Sequence, residues 1–94
     1  MEILLSDTVG WSSKQMASEI NGEVVLLNIG LGRYYSLNDI GSRIWRMLET
    51  PRKVEDLCHL LTAKYKAESI TVTSDVLALL NKLREEQLID VVNV

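Results

Sequence analysis

The sequence contains few of the residues on which catalytic and metal-binding proteins depend. Its 94 residues include one cysteine, Cys58, one histidine, His59, and one proline. A single cysteine excludes an intrachain disulfide, a paired-thiol redox motif and a cysteine-based metal cluster. Cys58 and His59 form no catalytic dyad, because adjacent residues point about 100° apart around a helix. We therefore expect no enzyme activity, no metal site and no cofactor.

Long apolar runs and a secretory signal are also missing. No stretch approaches the ~18 residues that a membrane span needs, and the N-terminus lacks a basic region followed by a cleavage site. We therefore expect a cytoplasmic protein with no membrane partner. The formal net charge of −3 is ordinary, and 94 residues predict one domain over 1–94. A chain of this length has room for one core but not for a deep enclosed active site, which favours a binding module.

The segment 15–36 predicts three antiparallel strands. Asn21-Gly22 separates a first strand over 15–20 from the apolar run 24–27, and this dipeptide is the strongest short hairpin signal. The glycine-containing turn 30–32 then leads into a third strand over 33–36. In such a meander the third strand lies at an edge, where its unpaired N–H and C=O groups can accept another extended segment.

Three helices are predicted after the strands. Asn38 can cap a first helix, which ends before Pro51. Apolar residues at three- and four-residue spacing from Val54 onward predict a second helix that ends near Tyr65 or Lys66. Thr71 or Thr73 can cap a third helix, whose apolar residues are too numerous for one buried stripe. This helix is therefore expected to face two neighbours, or one neighbour and an open groove.

The two ends of the chain are less regular. Within the N-terminal segment 1–14, residues 3–5 predict either a small strand or an apolar flap, and such a flap would cover the edge strand if it folded back over it. Residues 88–92 predict a short terminal strand.

This order of elements predicts an α+β fold that is winged helix-turn-helix-like, with a three-stranded antiparallel sheet followed by three helices. The architecture suggests DNA binding, but the charges argue against it. Over 72–90, two basic residues stand against four acidic ones, so the helix that would enter a DNA groove is net acidic. We expect no nucleic-acid partner, and DNA binding is kept as the less favoured alternative.

The run GEVVLLNIGLGRYYSLNDIGSRIW over 22–45, followed by a helix ending in a tyrosine and a leucine-rich helix ending REEQLI, resembles the PqqD-like family. These domains recognise the leader peptides of ribosomally made, modified peptides. The closer likeness is to the stand-alone recognition subunit of lasso-peptide maturation in antibiotic biosynthesis, which works beside a separate cysteine protease. The resemblance implies that a precursor leader binds as an antiparallel strand on the third strand, over a groove beside the third helix. Glu86-Gln87 departs from the glycine-containing end that many relatives have.

The expected peptide site combines the edge strand with the third helix. Its residues are Arg33, Tyr34, Tyr35, Ser36, Val76, Leu79, Leu80, Lys82 and Leu83. Strand pleating sends the two tyrosines to opposite faces, and only about two of the helix-three leucines are expected to line a groove.

Two alternatives and the location of one docking surface stay open. The same leader site would suit a PqqD-type peptide chaperone that serves a radical-SAM enzyme. The exposed edge could instead pair with a second copy, so the protein is expected as a monomer or an edge-paired dimer. The surface that docks the protease is not readable, and the outer face of helix one, with Arg43 and Arg46, is the candidate.

Overall fold

The computed structural model describes residues 2–92, which build two small antiparallel sheets and three helices. In chain order the elements are β1 Thr8–Trp11, β2 Gln15–Ile20, β3 Glu23–Asn28, β4 Arg33–Ser36, α1 Asp39–Met47, β5 Arg52–Lys53, α2 Val54–Tyr65, α3 Ser69–Glu85 and β6 Ile89–Val92. The strand orders are β2-β3-β4 and β5-β1-β6. The predicted α+β, winged-helix-like class is confirmed. None of the helices is long and apolar enough to cross a membrane in this part of the chain.

The β2-β3-β4 sheet is the predicted meander. Asn21 and Gly22 both have positive φ, at 53° and 82°, as a tight primed hairpin turn requires. On β3, Val24 and Leu26 point toward the helices and are buried, while Val25 and Leu27 between them are only half-buried. Because β4 pairs with β3 alone among the described strands, its other side is a free edge, as predicted.

Asn28 fixes the turn between β3 and β4. Its side-chain oxygen accepts a hydrogen bond from the Leu31 N–H at 2.9 Å, and its side-chain amide donates to the Glu86 carbonyl at 2.8 Å. The Gly32 N–H closes the turn onto the Asn28 carbonyl at 2.8 Å, with Gly32 at a φ of 64°. This buried amide therefore ties the hairpin tip to the end of α3.

Helix α1 is capped and seated as its sequence indicates. The Asn38 side chain accepts from the Gly41 N–H at 2.8 Å, which confirms the predicted cap. Ser42, fully buried, accepts from the Val24 N–H at 2.8 Å and donates to the Leu37 carbonyl at 3.1 Å. These two bonds join the helix to β3, and they set the position of the connection that follows β4.

The core lies between the β2-β3-β4 sheet and the three helices, and it extends to the second sheet. Its fully or nearly fully buried apolar members include Val9, Leu26, Ile44, Trp45, Leu48, Val54, Leu57, Leu61, Leu80, Leu83, Leu88 and Ile89. Leu37 at the end of β4 is also buried and joins Ile44 and Trp45 of α1 in this core.

The second sheet makes use of the N-terminal segment. Strand β6 was predicted, whereas β1 and β5 were not, because β1 pairs with residues more than 40 positions away. Residues 3–5 form no strand: Ile3 folds into the core at 3% exposure, while Leu4 and Leu5 stay exposed. Since β1 is the central strand of the second sheet, this segment adds no strand to the edge of β4.

The start of α3 differs from the prediction. The helix begins at Ser69, and its N-cap Glu68 makes no side-chain cap hydrogen bond, so the predicted caps Thr71 and Thr73 lie inside the first turns. Helix α2 ends at Tyr65, as predicted, with Lys66 in the left-handed region. Only residues 67 and 68 separate Lys66 from α3, which therefore begins two residues before Thr71, the first of the predicted caps.

Candidate peptide-binding groove

The free edge of β4 presents an alternating set of backbone groups. The Leu37 N–H donates to the Val24 carbonyl at 2.9 Å, and Tyr35 pairs with Leu26 two positions away. Because antiparallel ladders alternate, residues 33, 35 and 37 direct their backbone groups toward β3. The N–H and C=O groups of Tyr34 and Ser36 therefore point outward, where an added strand would bind them.

A groove with a volume of ≈ 610 Å³ begins at the end of this edge. It runs between the β4–α1 connection, the end of α2 and the outer side of α3. Its apolar lining consists of Leu37, Ile40, Ile44, Leu61, Tyr65, Ala67, Val72, Val76 and Leu79, and its polar lining of Ser36, Asn38, Thr71 and Asp75. The surface offered to a ligand is thus mainly apolar, with polar groups at the rim.

The predicted edge residues lie on opposite faces, as expected from pleating. Tyr34 is on the outer face of the sheet with 71% exposure, and Ser36 lies on that same face. Arg33 and Tyr35 lie on the side of α3. The Lys82 ammonium sits 5.8 Å from the centroid of the Tyr35 ring, a cation–π contact that joins β4 to α3.

The predicted α3 residues divide into lining and core. Leu79 is half-buried and lines the groove, and Val76 reaches it from a mainly buried position at 3% exposure. Leu80 and Leu83 are fully buried at 0% and 1%, so they pack beneath the groove and offer no surface to a ligand in this structure. The helix thus faces the core on one side and the groove on the other, as its surplus of apolar residues indicated.

A charged cluster marks the other end of β4. The Arg33 Nε lies 3.2 Å from Glu86 Oε1, and the Glu86 side chain is only 10% exposed, while that of Arg33 is 59% exposed. The Glu86 carboxylate beside the Tyr35 phenol raises the pKa of Tyr35, because it stabilises the protonated phenol, and Arg33 partly opposes this effect. With Lys82 beside the ring, this end carries two basic groups around one largely buried carboxylate.

Sequence reasoning missed several of these residues. Ile40 is not among the predicted site residues, yet it is 49% exposed and lines the groove. Tyr65 and Asp75 join it there from α2 and α3. The sequence signal for Ile40 is its position in the first turn of α1, where an apolar side chain can lie outside the edge of the core.

Cys58 is buried on the inner side of α2, where it packs in the core as a small apolar residue. Burial raises the pKa of its thiol. Across residues 2–92, no group of three histidine, cysteine or acidic side chains is arranged to hold a metal ion.

The fold and the groove define a class: a winged-helix-like α+β module with an unpaired strand edge beside an apolar groove. The chain belongs to the PqqD family, whose profile, described as coenzyme PQQ synthesis protein D, matches residues 23–89. It is similar to a solved structure described as TbiB1 in complex with the TbiA(beta) leader peptide, at 30% identity and a TM-score of 0.80. That match covers 90% of this chain and 99% of the other.

A second solved structure, lasso peptide synthetase B1 complexed with the leader peptide, shares the fold. The identity is 24% and the TM-score 0.77, over 87% of this chain and 96% of that one. No curated protein matches the chain.

Proposed function

We propose that this protein is a non-catalytic recognition element that binds the leader segment of a ribosomally made precursor peptide in lasso-peptide maturation. The leader adds to β4 as an antiparallel strand, and the protein delivers the precursor to a separate maturation enzyme, a cysteine protease that removes the leader. The observation that carries the proposal is the free edge of β4 at the mouth of an apolar groove. The similarity to a structure described with a bound leader peptide supports it.

The edge and the groove contribute in different ways. Each main-chain hydrogen bond to Tyr34 and Ser36 adds about 0.5 to 1.5 kcal/mol and carries little sequence information. Selectivity comes from leader side chains that reach the groove, where each well-buried apolar anchor adds about 1.5 to 3 kcal/mol. Two anchors and several hydrogen bonds give a total of about 8 to 11 kcal/mol before ordering costs, in the range of micromolar to tens-of-nanomolar binding.

The residues that contact the leader are assigned from the exposure of their side chains and backbone groups. Tyr34 and Ser36 supply the edge, Leu79 with Ile40 the groove, and Val76 a small part of its floor. Leu80 and Leu83 act from beneath by holding α3 in place. At the other end, Arg33, Lys82 and the Tyr35 ring face the leader as it leaves the groove, where Lys82 is exposed and suits a leader carboxylate.

Binding without catalysis is useful here because it raises the local concentration of the substrate. A leader held on this protein keeps the downstream cleavage site near a docked enzyme at an effective concentration of roughly millimolar for a short flexible link. The same leader site would also serve a PqqD-type chaperone for a radical-SAM enzyme, which is the second candidate, and family membership is the observation in its favour.

The direct test is a titration of isotope-labelled protein with a synthetic leader peptide from the precursor encoded beside it. We expect saturable amide shifts at residues 33–36 and along the groove side of α3. The variant Ile40→Asp places a charge in the groove at an exposed position and should weaken binding by about tenfold or more.

Ile70→Asp is the matched control. Ile70 is 82% exposed and lies on α3 outside the groove lining, so its replacement should leave leader affinity unchanged. An absence of shifts at high micromolar peptide would contradict leader binding for that precursor. If binding is observed, reconstitution with each enzyme class separates protease delivery from the radical-enzyme role.

A further inference from the structure

One carboxylate interrupts the apolar lining of the groove. Asp75 is the only charged residue among the described residues that line it. It lies on α3 three residues after Val72 and four before Leu79, so helical spacing makes both apolar side chains its neighbours on the helix surface. Asp75 is exposed, and within residues 2–92 its carboxylate makes no ion pair. The charge is therefore available to a ligand in the groove.

A ligand that fills the groove changes the surroundings of this carboxylate. Apolar leader side chains displace water from the lining, and an ionised carboxylate that is covered without a partner loses free energy. A cation brought by the same ligand offsets this loss and adds a charge-assisted hydrogen bond. An acidic side chain at the same place is repelled instead. The groove therefore discriminates between leaders by the sign of the charge that they carry beside their apolar anchors.

Two other lining residues also suit a cation. Tyr65 lines the groove from the end of α2 and is 41% exposed, and the face of a tyrosine ring attracts cations. Thr71, one helical turn before Asp75, offers a hydroxyl oxygen as a hydrogen-bond acceptor. Among the described lining residues none is basic, so the cation must come from the ligand.

The opposite end of β4 carries the opposite sign. Arg33 lies there beside Glu86, and Lys82 lies beside the Tyr35 ring. The Arg33 side chain is 59% exposed, whereas that of Glu86 is only 10% exposed. The accessible surface at this end is therefore basic, and the charge along β4 changes sign between the groove and Arg33.

We infer that Asp75 is a specificity-determining residue that binds a cation in the N-terminal part of the leader. An antiparallel strand on β4 has its N-terminal part beside Ser36 and the groove, and its C-terminal part beside Arg33. The inference rests on the proposed function, since it uses this direction. The cation is either a lysine or arginine side chain or the N-terminal ammonium group of the precursor, which share the same chemistry. The leader that fits carries positive charge toward its N-terminus and negative charge toward the segment beside Arg33.

The test measures the affinity of a synthetic leader peptide, from the precursor encoded beside this protein and labelled at its C-terminal end, by fluorescence anisotropy at low salt. Asp75→Asn removes the charge with little change of shape and should weaken binding by about fivefold or more, a loss that shrinks in about 0.5 M NaCl. Asp90→Asn is the matched control, because Asp90 is exposed on β6 outside the groove lining. The same change of net charge there should alter the affinity by less than about twofold.

Modified peptides identify the source of the cation. In one set, each lysine or arginine in the N-terminal half of the leader is replaced by glutamine in turn, and in a further peptide the N-terminal amine is acetylated. With the peptide that lacks the responsible cation, Asp75→Asn should cause no further loss of affinity, because the pair is already broken.

Three results would overturn the inference. One is an affinity of Asp75→Asn equal to that of the wild type. Another is an equal loss in Asp90→Asn, which would assign the effect to net charge. The third is a loss in Asp75→Asn that is the same for every modified peptide, which would assign Asp75 a structural role. A wild-type protein that does not bind the leader would remove the proposed function as well, and the wild-type titration identifies that case before any variant is compared.

Discussion

At the end of α3, a glutamine occupies a backbone conformation that usually belongs to glycine. Gln87 has a φ of 59°, and its N–H donates to the Arg84 carbonyl while the Leu88 N–H donates to the Leu83 carbonyl, both at 2.9 Å. These two bonds form a Schellman motif, and Leu88 packs in the core with Leu83. The geometry of the cap is therefore the same as in a glycine-containing helix end. The positive φ of Gln87 strains the backbone, because its Cβ lies close to a backbone carbonyl.

Gln87→Gly should raise the free energy of unfolding by about 0.5 to 1 kcal/mol, because glycine adopts this conformation without a clash between Cβ and the backbone. Urea denaturation followed by circular dichroism measures the change. Gln87→Ala keeps the Cβ and should give no gain. If alanine stabilises the protein as much as glycine, strain at this φ is not the cause.

The contact of Glu86 with Arg33 and Tyr35 was not predicted from the sequence, which indicated only an unusual end of α3. The Glu86 carboxylate raises the pKa of Tyr35, so Glu86→Gln should lower that pKa toward its ordinary value of about 10. A phenol whose pKa is raised in the folded protein stabilises the fold at pH values below its pKa in the unfolded chain. This stability is lost as the pH rises through the pKa of the folded state. The variant should therefore lose less stability above pH ~10. Tyrosine ring shifts in a pH titration report the pKa, and Glu85→Gln, on the exposed side of α3, should leave it unchanged.

At the scale of elements, the two edges of β4 differ in the partners of their backbone groups. Its inner backbone groups bind β3, while Tyr34 and Ser36 direct theirs outward. Ser36→Pro removes one outward N–H without breaking the ladder to β3, a substitution that edge strands tolerate. It should weaken leader affinity by about tenfold, as measured by fluorescence anisotropy. Ser36→Ala keeps the N–H and is the matched control; an equal loss there would assign the effect to the side chain.

The elements that were predictable are those encoded by local signals. Asn21-Gly22 specifies its turn through positive φ, and Asn38 specifies the start of α1 through its own side chain. The β5-β1-β6 sheet lacked such a signal, because Arg52 and Lys53 pair with β1 only through long-range contacts. The same limit applied to the groove: periodicity showed that α3 has too many apolar residues, but only its neighbours determine that Leu79 is reached by solvent and Leu80 is not.

At the scale of the whole molecule, the second sheet packs against α1, the helix that begins beside the groove. Trp11 of β1 stacks on Trp45 of α1 with ring centroids 5.1 Å apart, and its indole N–H donates to the Trp45 carbonyl at 2.8 Å. β1 thereby joins the second sheet to the helix that begins beside the groove. The N-terminal segment, which sequence patterns left as a strand or a flap, thus supports the site from behind.

The two ends of the β4 edge also lie beside different surfaces of the molecule. The groove with Ile40 and Tyr65 lies beyond Ser36, and the charged pair of Arg33 and Glu86 lies at the other end of β4, next to the turn at 29–32. The two ends of a leader bound along β4 would therefore meet different surfaces. A photo-crosslinking residue at the N-terminal end of a synthetic leader should react with the groove side of α1 and α2. The same residue at the C-terminal end should react with the turn at 29–32, as mass spectrometry of the digested adducts can establish. A reversed pattern would mean that the leader adds parallel to β4, and the precursor would then leave the protein beside α1 and not beside the turn at 29–32.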